Sequence, residues 1–202
     1  MLENIKKLIL KKTYFYRFFQ NLLISNSYFL IYEKLTSIIE SNYKDFCIYD
    51  LGCGDAPLAK YLSKNMNYIG IDINNNHIKT ARKKYPYFEF KCSDLESFSI
   101  TDKKGFFILD GVVHHLANTQ VLELISKLEA VEQHAIFCKD PIYTDNQDTL
   151  SHLLMKNDGG SYIRDEKGYR DVLKGFNFGI YDSLLRIPYQ HIISTKNFEF
   201  RL

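Results

Sequence analysis

Two glycines and a few carboxylates stand where a ligand site would need them. Asp50-Leu51-Gly52-Cys53-Gly54-Asp55-Ala56-Pro57 lies where an apolar run, Phe46-Cys47-Ile48-Tyr49, gives way to a helix predicted from about Pro57 to Ser63. Glycine lets a backbone turn sharply and lets a ligand come within contact distance. The helix start beyond it offers unpaired N–H groups, with Asp55 as the expected N-cap and Pro57 in the first turn. A second carboxylate, Asp72, ends the run Tyr68-Ile69-Gly70-Ile71, twenty residues after Gly52. An acid there can accept both hydroxyls of a ribose, so the pair of signals points to an adenosine-containing ligand. A dinucleotide loop normally carries a third glycine, where Pro57 stands here. Asp50 would also face the pyrophosphate with a negative charge. A ligand with a cationic amino group and no phosphate suits Asp50 better, which describes S-adenosylmethionine.

Further along, His114 and His115 form an adjacent pair. An imidazole titrates near neutrality and can take a proton from a hydroxyl. Both are catalytic candidates; the bland reading, that a histidine braces a loop, is the stronger one for His115, while His114 is the candidate base or acceptor contact. Asp140 and Tyr143 follow a predicted strand, where an open α/β sheet collects its ligands. Tyr162 and Arg164 follow the turn Asp158-Gly159-Gly160. An arginine there could clamp a carboxylate or phosphate, or lie in a surface ion pair.

The elements that must hold these residues alternate. Helical spacing covers the first 45 residues, through Phe15, Phe18, Phe19, Leu22 and Leu23, and then Tyr28, Ile31, Tyr32, Leu35, Ile38 and Ile39. Short apolar strands are predicted at 46–50, 68–72, 88–92, 106–110 and 134–139, and helices at 57–63 and 75–85. Another helix begins at Asn118 or Thr119, one of which should cap it. Strands covered on both faces by helices make a doubly wound, mostly parallel α/β sheet. A helix at 166–174 and strands at 176–183 and 189–195, joined by a short loop, should close the chain as an antiparallel pair. Residues 1–45 read as a helical cap and 46–202 as one structural unit, with an acceptor-side insertion at about 141–165.

Asp50-Leu51-Gly52-Cys53-Gly54 resembles the glycine-rich motif of class I S-adenosylmethionine-dependent methyltransferases. Tyr68-Ile69-Gly70-Ile71-Asp72 is similar to that family's ribose-binding motif, and Cys92-Ser93-Asp94-Leu95 to its adenine-binding motif. Leu109-Asp110-Gly111-Val112-Val113-His114-His115-Leu116 resembles its fourth-strand motif. The resemblance implies a seven-stranded sheet with one antiparallel strand. It implies a cofactor, S-adenosylmethionine with S-adenosylhomocysteine as product, held by Asp50, Gly52, Cys53, Gly54, Asp72, Ile73, Ser93, Asp94, Leu95, Asp110 and Gly111. It also implies methyl transfer to a small-molecule acceptor, such as the hydroxyl of a sugar or biosynthetic intermediate. The alternatives are a nucleic-acid methyltransferase and a non-catalytic binder of the cofactor.

Composition narrows these alternatives. Twenty-six basic and twenty-four acidic residues give a net charge of +2, too balanced for a protein that lives on a polyanion. Four cysteines without a C-x-x-C pair, at 47, 53, 92 and 138, argue against a disulfide scaffold and a zinc site. No long apolar run or leader pattern is read, so the expected address is the cytoplasm. The helices at 1–45 carry aromatic residues beside Lys11, Lys12 and Arg17; they read as a cap on the sheet, or as an amphipathic surface for peripheral membrane contact.

Overall fold

The computed structural model describes residues 29–145, 147, 152, 155, 160–181 and 190–202. The aromatic segment at 14–19, Asp158-Gly159 and the 182–189 segment therefore lie outside the described residues.

Alternating apolar residues build both faces of one sheet. Its strands are β1 (Cys47–Leu51), β2 (Tyr68–Asp72), β3 (Glu89–Cys92), β4 (Lys104–Asp110), β5 (Gln133–Tyr143), β6 (Arg164–Asp165), β7 (Asn177–Tyr181) and β8 (His191–Lys196). Their order is β3-β2-β1-β4-β5-β8-β7, with the two-residue β6 pairing on β5. β1 to β5 run parallel. β8 runs antiparallel to both β5 and β7, as the tail predicted. The path has seven strands, and β6 makes the eighth.

Because side chains alternate along a strand, β4 sends Phe106 and Ile108 to one core and Phe107 and Leu109 to the other. The first core is closed by helical residues 29–42 (α1), through Ile31, Tyr32, Leu35 and Ile39, and by α2 (Asn75–Lys84), through Ile78 and Ala81. The second is closed by α3 (Asn118–Glu129), through Val121, Leu124, Ile125 and Leu128. α4 (Glu166–Val172) adds Tyr169 and Val172. Among the described residues no helix is long and apolar enough to cross a membrane.

Three local expectations change. The predicted helix after β1 is only a 3₁₀ turn, Pro57–Lys60. Its N-cap is Ala56, in the left-handed region at φ 59°, and Asp55 pairs with Lys84 instead of capping. α3 begins at Asn118 with Ala117 as N-cap, whose N–H donates to the Gln120 side chain (3.0 Å). β5 does not stop at Lys139 but continues through Asp140 and Pro141 to Tyr143. Proline is tolerated because β4 has already left: its last partner in β5 is Lys139.

α1 contributes Ile31, Tyr32, Leu35 and Ile39 to the first core. Leu35→Ala, at a fully buried position, is expected to cost about 2–5 kcal/mol in urea unfolding. A loss below ~1 kcal/mol would show that α1 contributes little to the core.

Candidate functional site

The loop after β1 is shaped by its neighbours. Gly52 has φ 76°, and a β-carbon there would meet Val112 Cγ2 at 2.7 Å, so this position needs glycine twice over. The Gly52 and Cys53 N–H groups both donate to the Ile71 carbonyl (2.7 and 3.0 Å). Gly54 N–H donates to Asp72 Oδ2 (2.9 Å), while Asp72 Oδ1 accepts from Asn74 N–H (2.7 Å). The acid at the end of β2 thus holds the glycine loop in place. Around Gly54 an added β-carbon would meet nothing within 4 Å, so the loop borders open space.

Beside Asp72, Ile73 is 75% exposed, an apolar side chain presented outward. Such a surface suits one face of a purine. After β3, Asp94 Oδ1 accepts the N–H groups of Ser97 (2.6 Å) and Glu96 (3.0 Å). The Ser97 bond is the main reason its carboxyl is held below the ordinary range. Asp94 therefore braces the turn after β3. Ser93 Oγ lies 3.2 Å from Ser97 Oγ in that turn, and Leu95 packs against the second core.

Toward the sheet centre Asp50 is buried and Asp110 is partly so. Asp50 accepts a hydrogen bond from Tyr68 Oη (2.6 Å). Burial, reinforced by the charges of Asp110 and Asp72, pushes its carboxyl up to about 7 despite that bond. Asp110 Oδ1 lies 2.6 Å from Lys139 Nζ, and its Oδ2 accepts from Tyr32 Oη (2.7 Å). Both oxygens are thus committed within the protein, and Asp110 links α1, β4 and β5. Burial holds Lys139 below the ordinary range, with Asp110 opposing that shift. Gly111, at φ 71°, follows and donates to the Lys139 carbonyl (2.7 Å).

On the other face, His114 and Asp140 meet. Asp140 Oδ1 accepts the His114 backbone N–H (3.1 Å) and lies 2.7 Å from its Nδ1. That shared oxygen assigns the imidazole proton to Nδ1 and makes Nε2 the basic nitrogen. Both side chains are almost fully buried, and burial raises the Asp140 carboxyl although the His114 contacts oppose it. His115 is exposed, its ring 4.1 Å from the His114 ring. His191, on β8, is driven down to about 3 by burial and by the Lys139 and His114 charges, so it stays neutral near pH 7.

The remaining sequence candidates divide. Asp140 and Tyr143 lie within β5 rather than beyond it, and the Tyr143 ring stands 5.5 Å from His152. Tyr162 is exposed, and its N–H donates to the His114 carbonyl (2.9 Å). Arg164 is neither an acceptor clamp nor a surface charge: it is buried, and all five of its N–H donors are spent on protein oxygens. Sequence reasoning missed Tyr32, Tyr68, Lys139 and His191. Lys139 left a trace, as a charge directly after the apolar run Ala135-Ile136-Phe137-Cys138. Among the described residues, no cluster of three or more His, Cys, Asp or Glu side chains could hold a metal ion.

Residues 48–133 match the family described as Methyltransferase domain. Protein 235L of Invertebrate iridescent virus 6, a methyltransferase by name, is 33% identical over 125 residues, covering 55% of this chain and 43% of the viral protein. The chain thus spans less than half the length of that relative. The plantazolicin methyltransferase BpumL, solved with a triazolic desmethylPZN analogue and S-adenosylhomocysteine, superposes with TM-score 0.68 at 17% identity, over 96% of this chain and 98% of that one. Magnesium protoporphyrin IX methyltransferase from Synechocystis PCC 6803, also with S-adenosylhomocysteine, gives 0.60 at 19% identity, over 85% and 84%.

The fold is thus one shared with S-adenosylhomocysteine-bound methyltransferases, and residues 48–133 within it match a methyltransferase domain. The cradle fits the cofactor S-adenosylmethionine: open space at Gly54, an apolar platform at Ile73, and the carboxylates Asp50, Asp72 and Asp110 near the ends of β1, β2 and β4, of which Asp110 faces Lys139. Losing Asp72 removes an acceptor that also anchors the loop. Asp72→Ala should therefore weaken S-adenosylhomocysteine binding by roughly tenfold or more in calorimetry, the equivalent of 1–3 kcal/mol. Unchanged affinity would move the ribose elsewhere.

Proposed function

We propose that this protein methylates a hydroxyl of a small-molecule acceptor, with His114 as general base. The observation that carries this reading is the buried His114–Asp140 pair at the carboxyl ends of β4 and β5. S-adenosylmethionine, when bound, supplies a methyl group already activated on a sulfonium. Little remains for the protein beyond alignment and removal of the acceptor proton. Asp140 holds the proton of His114 on Nδ1 and steadies the imidazolium that forms when Nε2 takes the acceptor's proton. The named substrates of the structural relatives support a small-molecule acceptor: plantazolicin and magnesium protoporphyrin IX, with pyocyanin biosynthesis named for a third, PhzM.

In this reading Asp50, Gly52, Cys53 and Gly54 receive the methionine end of the cofactor. Asp72 takes the ribose, and Ile73, Ser93, Asp94 and Leu95 frame the adenine. Asp110 and Gly111 form the floor.

Asp50 gives the reading a pH signature. Its raised carboxyl is protonated in the free protein below about pH 7, whereas a ligand ammonium favours the ionised form. Binding then expels a proton, and affinity rises with pH up to that value and levels off above it. Calorimetry with S-adenosylhomocysteine should show a climb approaching tenfold per unit between about pH 5.5 and 7. Asp50→Asn should flatten the profile; a flat wild-type profile would remove Asp50 from the ammonium's neighbourhood.

The base is tested directly by screening hydroxyl acceptors with an isotope-labelled methyl donor. His114→Gln should lose roughly 100-fold or more in turnover and keep cofactor affinity within about twofold. Wild-type turnover in that variant would end the assignment.

A further inference from the structure

We infer that Arg164 is the positioning residue of the His114–Asp140 pair, a role that rests on reading that pair as the catalytic dyad. Its guanidinium grips the chain on both sides of the histidines. Nη1 donates to the Val113 carbonyl (3.0 Å) and Nη2 to the Leu116 carbonyl (2.7 Å), which bracket His114 and His115. Nε and Nη2 both donate to Asn118 Oδ1 (3.0 and 2.8 Å), tying in the first residue of α3. The fifth donor goes from Nη1 to the Tyr162 carbonyl (2.9 Å). A guanidinium has five N–H donors in a rigid plane, and here every one is used. A lysine ammonium has three donors at a single point and could not span these segments.

The backbone of Arg164 is fastened to the strand that carries Asp140. In β6 it stands in register with Ile142, two residues beyond Asp140, and Asp165 with Tyr143. One residue therefore joins the parents of both partners: its main chain belongs to the strand of the carboxylate, and its side chain to the loop of the imidazole. The chain before it covers the histidine. Tyr162 N–H donates to the His114 carbonyl. At Gly160 a β-carbon would lie 2.1 Å from His114 Cδ2, so only glycine lets this segment rest on the ring. With Asp140 fixed in β5 and the loop fixed by Arg164, the imidazole keeps its Nδ1 on Oδ1.

The test uses the proton of that hydrogen bond. A buried Nδ1–H facing a carboxylate gives a far-downfield proton resonance, assigned here by its disappearance in His114→Gln. Three measurements are made on the full chain: this resonance, S-adenosylhomocysteine affinity, and both again with low millimolar guanidinium. In Arg164→Ala the resonance should be lost to exchange while affinity stays within about twofold. Guanidinium should restore the resonance, and sodium chloride at equal ionic strength should not. If Arg164→Ala does not fold, Arg164→Lys keeps the stem and charge and should show the same loss. A sharp, unshifted resonance in either folded variant overturns the proposal, as does a lost resonance that guanidinium fails to restore in Arg164→Ala. Turnover of His114→Gln bears only on the base assignment, so the two ideas fail separately.

Discussion

The site exists because the strand order reverses between β1 and β4. The chain leaving β1 and β2 turns to the face covered by α1 and α2, and the chain leaving β4 turns to the face covered by α3. Two neighbouring strands whose connections part in opposite directions leave a crevice at their carboxyl ends. Everything with chemical potential gathers there: the glycine loop, the acids of β1, β2 and β4, and the histidine loop. The apolar cores on both sides serve this geometry by holding β1 and β4 in register.

Within the crevice the charge balance is uneven, and that unevenness defines the ligand. Lys139 answers Asp110 at 2.6 Å, with Tyr32 closing the other oxygen. Among the described residues Asp50 has only the Tyr68 hydroxyl, which lowers the cost of its charge without cancelling it. A buried carboxylate without a cation shifts toward its neutral form. A ligand bringing its own positive charge relieves this. The opposite face follows a different logic: His114 and Asp140 satisfy one another and need no ligand to be stable.

The parts of the site that were legible in the sequence are those built from local chain geometry. Gly52 and Asp72 could be read because a tight strand-to-loop turn and an acid ending the next strand are sequence-local signatures, and the antiparallel close of β7 and β8 followed from a short connection. The expected helix after β1 was lost because Pro57 follows Ala56 in a left-handed conformation, and only a 3₁₀ turn fits before Ser63. Arg164 was misjudged because an arginine's exposure depends on which carbonyls surround it, and those of Val113 and Leu116 come from 48 or more residues away. The tie from Tyr32 to Asp110 was invisible for the same reason. Periodicity marks Tyr32 as inward-facing but says nothing about what its hydroxyl meets.

The arginine's partners are mostly main-chain oxygens, which any residue supplies. Of the three carbonyls it holds, only that of Val113 belongs to a fully buried residue; Leu116 is half-buried and Tyr162 exposed, as is His115 between them. Side chains at those outward positions can be exchanged without loosening the grip. The rim of the crevice is in this sense modular: its chemistry toward an incoming molecule can drift through evolution while the frame beneath keeps its shape.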